Sequence, residues 1–202
     1  MPLDPATAAL FNSRIEDFAE VIGHVFDQLI GETPDDDILG FALLSNREGT
    51  ELEAAVYRRE DHQEALALRR DPAYSRGAAM DWDLLLSWAP AQWPHSTRTT
   101  QIPATADLYA MWEEFGTLAS RVRAEDESYW PRVAWEAAAL AMAALHEAQA
   151  FLEFPNSVRM LSVVGMVDPA AELRWVSLMN DEPRIELYRA FVGELQRQAP
   201  TA

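Results

Sequence analysis

Residues 38–58 read Ile38-Leu39-Gly40-Phe41-Ala42-Leu43-Leu44-Ser45, then Asn46-Arg47-Glu48-Gly49, then Thr50-Glu51-Leu52-Glu53-Ala54-Ala55-Val56-Tyr57-Arg58. The first run is short, almost wholly apolar and follows the turn Thr33-Pro34-Asp35-Asp36-Asp37, which predicts a buried strand. Asn46 to Gly49 has the residues of a hairpin loop. The return run sets Leu52, Ala54 and Val56 against Glu51, Glu53, Ala55 and Tyr57, the period-two alternation of a partner strand. A strand hairpin set among long helical patterns makes the fold α+β.

Upstream, Asp4-Pro5 has the form of a helix start, an N-cap followed by proline in the first turn. Phe11, Ile15, Phe18, Ile22, Val25, Phe26 and Leu29 then recur at three- and four-residue steps, drawing one apolar stripe. Asn12, Glu16, Glu20 and Asp27 take the other face, and Gly31 stops the helix. Downstream, Glu60 to Arg70 predicts a short helix and Asp71 to Ala79 a loop. Met80 to Trp88 reads as a third strand, His95 to Ala106 as a connection. Asp107 is expected to cap a helix carrying Leu108, Met111, Trp112, Phe115, Leu118 and Val122. Trp130-Pro131 opens another helix, rich in alanine, that runs to about Phe151. Val158 to Val167 is apolar on both faces and predicts a central strand. Asp168-Pro169 turns the chain, Leu173 to Asn180 forms a short helix or irregular turn, and Pro183 opens a closing helix. The expected architecture is one α+β domain over residues 1–202. Its small, mainly antiparallel sheet of about four strands packs with an N-terminal helix, two long central helices and a C-terminal helix.

Of 202 residues, 33 are acidic and 16 basic, a net charge of −17. That balance opposes nucleic-acid binding, which draws its affinity from clustered cations. All 16 basic residues are arginine. The absence of cysteine excludes disulfides and thiol chemistry. The first residues lack a secretory pattern, and the apolar runs at Ala6–Ile30 and Val133–Leu152 are broken by charges. These features point to a cytoplasmic protein without membrane contact, monomeric or homodimeric.

The four histidines, His24, His62, His95 and His146, lie far apart and make no metal-ligand pair, and no Glu-x-x-His repeat, nucleophile elbow or phosphate loop occurs. No metal, cofactor or catalytic residue is therefore assigned. The runs Asp35-Asp36-Asp37 and Glu125-Asp126-Glu127 have the hydrophilic surroundings of solvated turns. Of the seven tryptophans, Trp82, Trp112 and Trp135 are expected in the core, and Trp88 and Trp93 remain open between core and binding.

The segment Ser87-Trp88-Ala89-Pro90-Ala91-Gln92-Trp93 resembles the Trp-Ser-Pro-Ala-Glu-Trp signature of an uncharacterised bacterial family, a domain of unknown function found near contact-dependent and polymorphic toxin systems. Phe41 to Asn46 with Gly49, the late strand ending at Asp168, and Trp175 to Asn180 before a helix with Tyr188 and Phe191 follow the same layout. Gln92 stands where the family usually has Glu, and Asp181-Glu182 precede the proline that the family places directly after the Asn.

The resemblance implies an α+β immunity protein that neutralises a cognate toxin. Acidity gives that idea a physical route, since a basic toxin would be steered to an acidic partner. Asp35, Asp36, Asp37, Glu125, Asp126 and Glu127 are the candidate contacts, and Trp88, Pro90 and Trp93 mark the signature segment. The alternative is an enzyme or small-ligand protein using His62, His95, Asp83 or Tyr74 around Trp88–Trp93. A third reading, an oligomeric subunit, would show an exposed apolar patch on the Trp130–Phe151 helix.

Overall fold

The computed structural model describes residues 5–31, 34, 37–70, 81–122, 129–164 and 169–198. The apolar stripe of the N-terminal segment does form a helix, α1 (Pro5–Ile30), and Ile15, Phe18, Ile22, Val25, Phe26 and Leu29 are all buried. Gly31 follows it at φ 58°, a left-handed conformation that glycine adopts without penalty.

The hairpin is β1 (Ile38–Ser45) and β2 (Leu52–Arg58), antiparallel, with Phe41 opposite Val56 and Leu43 opposite Ala54. Asn46 holds its turn: Oδ1 accepts the Thr50 and Glu51 N–H groups at 2.8 and 3.2 Å. Gly49 sits at φ 67° at the tip, where a β-carbon would stand 2.8 Å from Pro131 Cα. After β2 come α2 (Arg59–Arg70), α3 (Trp82–Ser87), a 3₁₀ turn at Pro90–Gln92 and a two-residue strand, β3 (His95–Ser96). The chain continues through α4 (Thr105–Val122), α5 (Tyr129–Glu147), β4 (Val158–Val163), α6 (Pro169–Met179) and α7 (Glu182–Gln198).

The sheet order is β3-β2-β1-β4, with β4 parallel to β1 and the other two pairings antiparallel. Helices cover both faces. On one, Phe41, Leu43, Val56, Leu161 and Val163 meet α1, α4 and α5. On the other, Ala42, Leu44, Ala55, Tyr57 and Met160 meet α3, the 3₁₀ turn, α6 and α7. This double cover is why β1 has no polar face. The alanines of α5, Ala134, Ala137, Ala138 and Ala141, are buried and let it close on α1. Among the described residues no helix is long and apolar enough to cross a membrane.

Several expectations are corrected. The described part of the strand expected at Met80–Trp88 is helical: Asp81 Oδ1 accepts the Leu84 N–H at 3.1 Å, capping helix α3, and the strand falls later, at His95–Ser96, within the expected connection. β4 is an edge strand, not a central one. It is buried on both faces because α5 and α6 cover it, which is what its apolar run recorded. Asp107 does not cap α4, which begins two residues earlier, and lies in its first turn. α5 stops at Glu147, short of Phe151. Gln149 takes φ 61°, and the Ala150 and Gln149 N–H groups bond back to Leu145 and His146 carbonyls, a Schellman ending. Phe151 then turns into the core against Phe41, ring centroids 4.8 Å apart. Leu173–Asn180 is helical as far as Met179. The expected loop at Asp71–Ala79 and the end of the late strand at Asp168 lie outside the described residues.

Candidate functional site

The signature segment lies across the sheet face that α3 and α7 share. Trp88 is buried edge-on to Tyr188, ring centroids 5.0 Å apart, and Pro90 is buried beside it. Trp93 stacks parallel to Tyr57 at 5.0 Å and donates Nε1–H to the Leu86 carbonyl at 3.1 Å. Its ring lies over Gly40, where a β-carbon would come within 2.5 Å of Cη2. Trp88, Pro90 and Trp93 are thus wedges that close the second layer on the sheet. Of the tryptophans expected in the core, Trp112 and Trp135 are buried, their indoles bonded to Gly49 O at 3.1 Å and Ser45 Oγ at 3.3 Å. Trp82 is only half-buried, with the Arg69 guanidinium 4.7 Å above its ring.

Beside this wedge the fold assembles a polar chain. Tyr57 OH lies 3.0 Å from His62 Nδ1, and His62 Nε2 lies 2.6 Å from Asp83 Oδ1. Burial, then the charges of Asp61 and Asp83, push the Tyr57 phenol up to about 12. The phenol therefore keeps its proton at neutral pH, and His62 bridges it to the Asp83 carboxylate through its two ring nitrogens. A phenol held this way is a hydrogen-bond donor and not a nucleophile. A second pair stands alongside: His95 Nε2 is 3.3 Å from Asp61 Oδ1, while Asp61 Oδ2 accepts the Arg58 N–H at 3.3 Å at the start of α2. Tyr57, Asp61, Glu64, Leu68, Arg69 and Trp93 line a cleft of about 460 Å³ next to the chain.

His62, His95 and Asp83, named from the sequence around Trp88–Trp93, are brought to one region, though into two separate pairs. Tyr74 lies outside the described residues. Tyr57 was missed because the period-two pattern of a strand does not record which side chains the covering helix will bring to it. Its one sequence trace is the five-residue step to His62 across the β2–α2 junction.

Of the acidic candidates, Asp35, Asp36, Glu125, Asp126 and Glu127 lie outside the described residues. Asp37 is half-buried and sits 3.3 Å from Arg59 Nε, an ion pair between the residue before β1 and the first residue of α2. Other carboxylates, outside the runs singled out from the sequence, stand out instead. Glu16, Glu20 and Asp27 on α1 and Asp107 and Glu113 on α4 are exposed, and none makes an ion pair within the described residues. Arg14, between those helices, is already held by Asp17 at 2.8 Å and Glu114 at 2.6 Å. Among the described residues no group of three His, Asp or Glu side chains is placed to hold a metal ion. No protein-family model, curated protein or solved structure matches the chain, so the family resemblance rests on its own segments alone.

Proposed function

We propose that this chain is a cytoplasmic, immunity-type protein that works by binding, neutralising a cognate basic toxin through its acidic surface. The observation that carries the reading is an asymmetry in how charges are used. Several helix arginines are paired within the chain, Arg14 with Asp17 and Glu114, Arg174 with Glu136, Arg189 with Glu182 and Glu186, Arg197 with Glu194. Glu16, Glu20 and Asp27 of α1 and Asp107 and Glu113 of α4, with no ion pair among the described residues, keep their field. With a net charge of −17 behind them, they would accelerate encounter with a cationic protein and oppose anionic ones. The resemblance of the Ser87–Trp93 segment to a family near toxin loci supports the same reading.

The test is to titrate the chain with the toxin encoded by the adjoining gene. A complex tighter than about 1 μM at 0.15 M ionic strength, with an association rate that falls as salt rises, is the expected result. Absence of any such complex sinks the proposal.

A second reading, a small-ligand protein, is favoured by the cleft whose wall includes Tyr57 and Trp93. Ligand screening by tryptophan fluorescence tests it, because a molecule seated there lies against the Trp93 indole; a screen without any saturable change removes this reading.

A further inference from the structure

We infer that the groove between α1, the start of α4 and the turn after α5 is the docking site for a basic amphipathic helix of the partner protein. This inference rests on the proposed basic partner and says where that partner binds.

The groove encloses about 580 Å³. Its floor is apolar: Val21, Ala104, Leu145 and Ala150, with Gly23 opening the depression, since a β-carbon there would lie 3.2 Å from Leu145 Cδ2. Its rim is anionic. Glu20, Asp27 and Asp107 are exposed, none has an ion pair among the described residues, and His24 is the only lining side chain that can carry positive charge. His24 is occupied: its Nε2 lies 3.0 Å from Gln28 Nε2, and Gln28 Oε1 accepts the Ala104 N–H at 3.1 Å, pinning α1 to the start of α4.

The occupant follows from this chemistry. An apolar floor selects aliphatic side chains, and three carboxylates left without cations select Arg or Lys at the edges. Glu20 and Asp27 are seven residues apart on α1, about 10 Å along a helix axis at 1.5 Å per residue. A helix lying along α1 matches them with basic residues at i and i+7. Its apolar residues at i+3 and i+4 then point into the floor. The other groove-like surfaces lack this combination. The cleft beside Trp93 has Arg69 in its lining, and the one at the end of α1 has Arg58 and Arg59.

The probe is a fluorescein-labelled peptide carrying Arg-Ala-Ala-Leu-Leu-Ala-Ala-Arg within alanine-rich helical flanks, followed by anisotropy against the full chain at 0.1 M salt. Two triple variants change the net charge equally: Glu20→Gln/Asp27→Asn/Asp107→Asn in the groove, and Glu48→Gln/Glu51→Gln/Glu182→Gln away from it. The expected result is saturable binding that the groove variant weakens about tenfold or more and the distant variant does not. A peptide with both leucines changed to serine should bind as poorly as the wild-type peptide does to the groove variant. Equal weakening by both protein variants, or no saturable binding, overturns the groove as the site. The basic-partner proposal is judged separately: if the toxin complex forms with undiminished salt sensitivity in the groove variant, the partner reading stands and the groove falls.

Discussion

The Asn180 side chain completes the outer edge of β4 at Arg159: its Oδ1 accepts the Arg159 N–H at 3.0 Å and its Nδ2 donates to the Arg159 carbonyl at 2.6 Å. Both hydrogen bonds that a neighbouring strand would have made at this residue come from one amide, which also donates to the Val176 carbonyl at 2.9 Å. The edge strand is thereby paired without a fifth strand, and its template for stray pairing is blocked at that point.

Asn180→Ala should cost about 2–4 kcal/mol, because it strands a buried N–H and C=O on β4 together. Urea denaturation at neutral pH measures it. Asn180→Asp should cost a comparable amount at pH 7, since a carboxylate cannot donate to the two carbonyls. A loss under about 0.5 kcal/mol for the alanine variant would mean water replaces the amide without penalty.

Gly40→Ala should destabilise the fold by about 1–3 kcal/mol. The new methyl would push against the Trp93 ring, disturbing its stack on Tyr57 and its bond to Leu86. Near-UV circular dichroism should change with it. Trp93→Phe removes the offending Cη2 atom, so the double variant should lose less than the sum of the two single losses.

The Tyr57 phenol links stability to alkaline pH. Its proton is held more tightly in the folded state, about 12 against an ordinary 10, so its stabilising contribution is whole below pH 10 and disappears as pH rises towards 12. Tyr188 is shifted upward as well, by burial and then by its bond to Glu172, and acts in the same direction. The difference between wild type and Tyr57→Phe isolates the first group: the variant should be about 1–2 kcal/mol less stable at pH 7, with His62 Nδ1 left without its partner, and the gap should narrow above pH 10. A gap constant to pH 12 would contradict this.

His146 works on the acid side. Burial, then the positive charge of Arg159, hold its imidazolium form below the ordinary histidine range. A depressed value means that the stability it contributes is present above about pH 6.5 and is lost as pH falls through the folded value. Proton NMR should show the His146 resonance titrating below the ordinary histidine range, and the assignment follows from its disappearance in His146→Gln. That variant should also lose less stability than wild type between pH 7 and pH 5.

What the sequence by itself determined is the set of elements whose periodicity declares a buried face. The stripe from Ile15 to Leu29, the hairpin around Asn46–Gly49, the alanine-rich α5 and the doubly apolar run from Val158 each state how much of their surface must leave water, and that is a local property of spacing. The α+β class follows from those elements. Trp-rich Met80–Trp88 misled because apolar residues in a short run serve a helix or a strand equally well, and the Asp81 cap was the deciding residue. Tertiary structure alone decided which strand lies at the edge, how Asn180 pairs with it, and which of the many carboxylates stand without cations around an apolar floor. Tyr57 meets Trp93, and Glu20 and Asp107 come to line one groove, across tens of residues of intervening chain. Such meetings depend on how whole layers pack, and no spacing within one element records them.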